Sequence, residues 1–452
     1  MIFRRNTYRP VSPSVVAGFN QHRTENQREL LCHAPFHSLR FSQSGHALAC
    51  CFNRGHVLGK IPEQNLHEIW FGNRMESLRK YIKHNDLTLG CNECLKRIED
   101  GLFDLSGAAQ YDYLAQESAG KYPDMLDFEI SNTCNLECIM CLGENSSAIR
   151  SNRENLPPYD QHYDSRFVEQ LVEFIPYLKE ARFSGGEPFL VSLYYDIWEK
   201  LIALNPSVKL SVLTNATLLT GRIKKILSEG NFVISVSVDS LNKEKYEKIR
   251  RNADFCSVMS NLEYFYDYSL LKKNIFSLNV CPVPHNWDEI AEMVRYCNEK
   301  NMQLILHSVI FPPSESLWAK DSGELQQILM KLENEKIEAQ TITAEKNFSA
   351  FRQFIKQISV WAENAVIREK TKDELAGKTE KELCEYLAKH LSQSVNDAAC
   401  RIFLILQNLG FNESERKKAL INLLSFSPDL ILSELMHNEP DKVQMRLKMF
   451  NY

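Results

Sequence analysis

The sequence predicts an α/β protein: a parallel sheet with flanking helices, preceded by a small cysteine-bearing segment and followed by a helical region. Three observations lead there. Short apolar strand segments alternate with helix-like stretches from about residue 125 to 312, a pattern that builds a parallel sheet with right-handed crossovers. Strand signals fade beyond Phe311-Pro312-Pro313. Of thirteen cysteines, five fall in the first hundred residues and three crowd between positions 134 and 141.

Taken in order, 452 residues are enough for two or three units, each with its own core. Residues 1–25 are polar and without a clear period, which reads as a flexible arm. Residues 26–105 form a first domain with short strands at His33–Phe41 and His46–Cys51 and a helix around Leu66–His84. Residues 106–124 connect it to the alternating region. There the expected strands are Met125–Ile130, Ala181–Ser184, Val208–Leu213, Phe232–Val238, Phe276–Val283 and Gln303–Ile310. Helices are expected between them at Arg166–Leu178, Tyr194–Leu204, Arg222–Glu229, Lys243–Arg250 and Asp288–Glu299. In the last of these, Ile290, Met293, Val294 and Cys297 recur at helical spacing and mark one buried face. Residues 313–452 read as a helical domain, with Leu383, Leu387 and Leu391 in one stripe and an apolar run over Ala398–Leu409.

A hydrophobic fraction of 44% and a charged fraction of 25% are those of an ordinary globular protein. A net charge of −5 provides no global attraction to nucleic acid or anionic lipid, so neither is expected as a partner. The opening MIFRRNTYRP has no apolar run behind its arginines, and no stretch reaches the roughly 20 apolar residues that span a bilayer. The expectation is a cytoplasmic protein. In that reducing setting structural disulfides are rare, and clustered thiols point to metal or cluster ligation.

Cys134-Asn-Leu-Glu-Cys138-Ile-Met-Cys141 follows directly after the first strand of the alternating region. Three thiolates so spaced on a loop can hold three corners of a [4Fe–4S] cubane. One iron is then left without a protein ligand, and an open metal position is what binding a substrate needs. A zinc site lacking its fourth ligand is the plainer alternative. The second strand ends in Phe183-Ser184-Gly185-Gly186-Glu187-Pro188. Its two glycines let the backbone approach a ligand, at the carboxyl edge where such sheets bind ligands.

The triplet and the Gly-Gly-Glu-Pro segment together resemble the radical S-adenosylmethionine (SAM) family. The resemblance implies a partial (β/α)6 barrel over residues 125–312. It also implies that the open iron chelates the methionine moiety of SAM, and that reductive cleavage gives a 5′-deoxyadenosyl radical that abstracts hydrogen from a substrate. Gly185, Gly186 and Glu187 would then lie at the methionine amino group, with Ser237 and Arg250 at the ribose and methionine carboxylate. Read from the residues alone, Arg250 is a carboxylate clamp or a solvated helix end. Asp239 accepts from a ribose or substrate hydroxyl, or caps the next helix. Met140 stands where many members of the family carry an aromatic, and its thioether can pack against adenine.

Cys32 is followed by twelve residues, Gly45, four residues and Cys50, and much later by Cys91-Asn-Glu-Cys94. This pattern resembles the twitch domain, the short form of the SPASM module. It implies a second, auxiliary [4Fe–4S] cluster closed by Cys32, Cys50, Cys91 and Cys94. Gly45 suits the tight hairpin between the first two. Cys51 is either a substitute for Cys50 or a bystander, and a four-thiolate zinc site fits the same spacing. The order departs from the family, in which this module normally follows the barrel.

Cys281 shares one face of a strand with Ser277 and Asn279. It reads as a hydrogen donor to a product radical or as a small buried apolar residue. His307 reads as a substrate contact or a core histidine, and Asn286 as a loop residue of the family or a helix cap. The expected function is oxidative modification, a cross-link or dehydrogenation, of a ribosomally made peptide or protein. An external flavodoxin or ferredoxin would supply electrons. Dehydrogenation or epimerisation of a sugar or aminocyclitol is a second expectation, and a zinc-stabilised, non-enzymatic binding protein is a third.

Overall fold

The computed structural model describes residues 8–21, 23–116, 120–391, 398–426, 431, 435 and 440–450. It forms two compact units. The first comprises Met1–Cys138, Leu142–Val238 and Asn242–Asn279; the second comprises Ile139–Cys141, Asp239–Leu241 and Val280–Tyr452.

All six expected strands of the alternating region form. They are β4 (Met125–Glu129), β5 (Glu180–Phe183), β6 (Lys209–Thr214), β7 (Phe232–Ser237), β8 (Ser277–Val280) and β9 (Gln303–Leu306). The N-terminal segment supplies β1 (Ser38–Ser42), β2 (His46–Leu48) and β3 (Gly59–Lys60). In the first unit the strand order is β3-β2-β1-β4-β5-β6-β7-β8. The pairs β1·β2 and β2·β3 are antiparallel, whereas β1 lies parallel to β4, with Leu39 opposite Leu126 and Phe41 opposite Phe128. The cysteine-bearing segment is thus built onto the edge of the main sheet.

Alternation along each strand gives this sheet two different faces. On one, Phe41, Phe128 and Phe183 stack across three neighbouring strands at 5.4 and 4.9 Å, and Trp198 of the helix Ser192–Leu204 closes on Phe183 at 5.4 Å. Each such ring contributes about 0.5–1.5 kcal/mol through its pairing beyond area burial. The opposite face is polar. Arg40 bonds Asp127 at 2.5 Å and pairs with Glu129, while Arg182 bonds Glu180 at 2.8 Å and the Tyr113 hydroxyl at 2.7 Å.

Local sequence explains where the expectations shift. The stretch read as a strand over His33–Phe41 begins as a helical turn, Ala34–His37, because Pro35 sits in its first turn; the strand starts at Ser38. The helix expected over Leu66–His84 is two, Leu66–Trp70 and Asn73–Lys83, parted at Gly72, where a Cβ would press into the Glu68 carbonyl. The stretch read as an arm contains the helix Pro13–Asn20, capped by Ser12. Arg23 behind it forms a buried bidentate pair with Asp112, at 2.5 and 2.7 Å.

The second unit contains β9 and mostly helices. Ile290, Met293, Val294 and Cys297 are fully buried on the helix Ile290–Glu299, as their spacing predicts. A 34-residue helix, Ile342–Leu375, is followed by Glu380–Leu391, Ala398–Asn408 and Glu413–Leu424. Leu383, Leu387 and Leu391 enter a core with Ile402, Leu406 and Leu420. Among the described residues no helix is long and apolar enough to cross a membrane.

Candidate functional sites

Four of the five N-terminal cysteines converge. Cys32, Cys50, Cys91 and Cys94 line one cavity, with Pro35, Ala49, Leu87 and Ala108 completing an apolar wall. Cys51 is outside that lining; Arg40, Asp127 and Arg182 lie near enough to shift its thiol, which places it on the side of the polar sheet face. The four lining thiols are 5–7% exposed. Burial pushes the Cys32 thiol up to about 12 and Cys94 to about 11, and each raises or is raised by its neighbours. Four thiolates can share such a pocket only with compensating cations.

Donors stand ready for the sulfurs. The Ala34 backbone N–H donates to Cys32, and those of Gly107 and Ala108 donate to Cys94. Asn53 donates its backbone N–H to Cys50 at 3.4 Å and its side-chain amide to Cys91 at 3.1 Å. Such bonds stabilise thiolates at metal and cluster sites alike, and at a cluster they also adjust the potential. Sequence reasoning missed Asn53 and the Gly107-Ala108 pair. The one available hint was Asn53 lying three residues after Cys50, at the end of a turn.

The three-cysteine loop leaves the carboxyl end of β4. The Cys134 sulfur accepts from the Leu136 N–H at 3.5 Å, and the Asn215 amide stands 3.9 Å away. Cys138 is buried and the Arg250 guanidinium lies 4.0 Å from its sulfur. Cys134 is partly exposed, as are Met140 and Cys141, which the chain counts with the second unit. Arg250 is not a solvated helix end: it is buried, and its charge favours ionisation of both Cys134 and Glu187.

Gly185 and Gly186 have φ of 82° and 53°, the left-handed region that glycine tolerates. They pack directly on the segment leading to Cys134. A Cβ on Gly185 would come within 2.7 Å of the Glu129 side chain, and one on Gly186 would clash with the Thr133 carbonyl. Glu187 is fully buried. Its carboxylate accepts from the Thr214 hydroxyl at 2.8 Å and the N–H groups of Asn215 and Phe189 at 2.7 and 3.1 Å. These bonds hold the glycine turn against β6. Burial outweighs them and raises the Glu187 carboxyl to about 7. Ser237 ends β7, half-exposed, with Asn279 of β8 opposite.

In the second unit, Asp239 is buried and accepts the Cys281 N–H at 2.7 Å. It does not cap the next helix, because Asn242 does. Asn286 is also buried; its amide donates to the carbonyls of Asp239 and Cys281 at 2.7 and 3.1 Å, which closes the turn after β8. Cys281 keeps part of its surface accessible. His307 is exposed, and its backbone N–H donates to the Val280 carbonyl at 2.8 Å.

Residues 128–297 match the model of the radical SAM superfamily, and residues 32–95 that of the SPASM iron–sulfur cluster-binding domain. Curated relatives include GTP 3′,8-cyclases of Listeria monocytogenes serotype 4b, 24% identical over 42% of this chain and 55% of theirs, and of Helicobacter pylori strain 26695, 26% identical over 42% and 56%. The chain thus spans about half the length of these relatives. Among solved structures, native anSMEcpe with bound AdoMet is 22% identical, with a TM-score of 0.34 over 45% of this chain and 58% of that one. Streptococcus suis SuiB bound to S-adenosylmethionine is 16% identical, with a TM-score of 0.36 over 57% and 56%.

The thiol triplet follows the carboxyl end of a strand of the parallel sheet, and the Gly185-Gly186 turn packs on the segment that leads into it. Residues 128–297 thus carry a radical SAM domain, and residues 32–95, ahead of it, a SPASM iron–sulfur cluster-binding domain. The cofactors are those of the two domains: a catalytic [4Fe–4S] cluster with SAM, and an auxiliary cluster.

Proposed function

We propose that this protein cleaves SAM reductively and uses the radical to oxidise a C–H bond in a peptide or protein substrate. Cys134, Cys138 and Cys141 would hold the catalytic cluster, which would supply the electron for cleavage of the sulfonium. The chain's own residues do the rest. Gly185 and Gly186 bring bare backbone to the methionine end, and Glu187 fixes their turn. Arg250 and Ser237 bind the carboxylate and ribose, Met140 packs on the adenine, and Asp239 and Cys281 are reserved for the substrate side. Cys32, Cys50, Cys91 and Cys94 would hold the second cluster, which would supply an electron acceptor for a net two-electron oxidation.

One observation carries this reading: four buried thiols surround a single cavity with N–H groups aimed at their sulfurs. A large substrate is supported by the second unit, whose helices expose Ile342, Val366, Ile367 and Leu404. Thirteen free cysteines fit a reducing cytoplasm, where a flavodoxin or ferredoxin can deliver electrons. Anaerobic reconstitution followed by iron and sulfide analysis tests the core of the proposal. About eight of each per chain is expected; stoichiometric zinc without sulfide would overturn it.

A further inference from the structure

Asn53 touches both halves of the auxiliary site. Its backbone N–H donates to Cys50, in the hairpin half, and its side-chain amide donates to Cys91, at the start of the helix Asn92–Glu99. The amide's orientation is fixed by its other partners. The His56 N–H can only donate and points at Oδ1 at 3.1 Å, while the Leu89 carbonyl can only accept and lies 3.1 Å from Nδ2. The Cys91 sulfur therefore faces N–H, not oxygen. Asn53 is 1% exposed, so water does not compete for these bonds. Gly90 makes the fit possible: at φ 79°, a Cβ there would drive into the Asn53 oxygen.

We infer that Asn53 sets the reduction potential of the auxiliary cluster by donating to two of its four thiolates. The inference rests on the cluster reading given above. Reduction adds one electron, and so one negative charge, to the cluster. N–H dipoles aimed at sulfur stabilise that added charge, so they raise the midpoint potential. The side chain supplies one of the two dipoles, and the Asn53→Leu and Asn53→Ala variants remove it while leaving the backbone donor in place.

The test is an anaerobic redox titration of the full-length, reconstituted protein, followed by electron paramagnetic resonance, for wild type and both variants. The three-cysteine cluster serves as an internal reference. The expected result is a lower midpoint for the auxiliary cluster in both variants, an unmoved midpoint for the reference cluster, and an undiminished iron content. An unchanged auxiliary midpoint overturns the inference. So does loss of the auxiliary cluster from both variants with the reference cluster retained, which would make Asn53 a structural fastener. A wild type with zinc or a single cluster would instead sink the functional reading beneath it.

Discussion

The two cysteine sites of this protein are made from the same residue type to opposite ends. The N-terminal set contributes four thiols, all nearly inaccessible, around an apolar cavity. The loop after β4 contributes three, and of these Cys134 and Cys141 keep accessible surface. In the function proposed above, the first site would be fully subscribed by protein and the second would leave one coordination position over. Their surroundings differ in the same sense. Backbone N–H groups and an asparagine amide enclose the first, whereas the second has a glycine turn and a buried arginine, which the proposed function assigns to a zwitterionic ligand. Closure suits storage of an electron, and an open corner suits chemistry.

The most drastic way to break this contrast is Cys138→Ala, which is expected to abolish 5′-deoxyadenosine formation in a reductant-driven assay. Cys94→Ala should separate the two sites. Roughly half of the iron is lost if each site holds one cubane, cofactor cleavage continues, and product formation falls; equal loss of both activities would remove the acceptor role. Arg23→Ala strands buried Asp112 and should cost about 3 kcal/mol in denaturant titration. Its effect should fall on the N-terminal site, because Asp112 lies just after the Gly107-Ala108 pair that donates to Cys94.

Smaller effects sharpen the open site. Gly186→Ala imposes about 1–3 kcal/mol of strain and displacement, so SAM should bind roughly 10–100-fold more weakly in equilibrium dialysis. Glu187→Gln tests the turn's support. Burial raises the folded-state acid to about 7, above its ordinary value. Its contribution is therefore fully present below that ordinary value and is lost as pH rises through about 7. The melting temperature of the wild type should decline over that window, and the glutamine variant should flatten the decline.

Much of this was legible in the sequence. The barrel strands declare themselves through apolar runs, and the triplet and glycine turn through spacing that few other chemistries require. The convergence of Cys32 and Cys50 with Cys91 and Cys94 followed from pattern alone, yet the choice of Cys50 over Cys51 needed three dimensions: adjacent residues point to opposite sides, and only one reaches the cavity. Asn53 was invisible because an asparagine in a turn has many uses, and its bond to Cys91 spans 38 positions. Equally hidden was the pairing of β1 with β4, whose register is nonlocal. Pro35 misled the reading of the first strand by starting a helical turn inside an apolar run.

The parallel seat of β1 against β4 has a consequence for anyone who would dissect the chain. Removing the first hundred residues does not liberate a self-sufficient catalytic core; it strips the covering strand from β4 and leaves Phe128 and a row of unpaired amides at a raw border. It also takes away Arg40, stranding Asp127 and Glu129 as neighbouring like charges. A trimmed protein of this kind should come out of expression as aggregate, and the modules can be transplanted only as a pair.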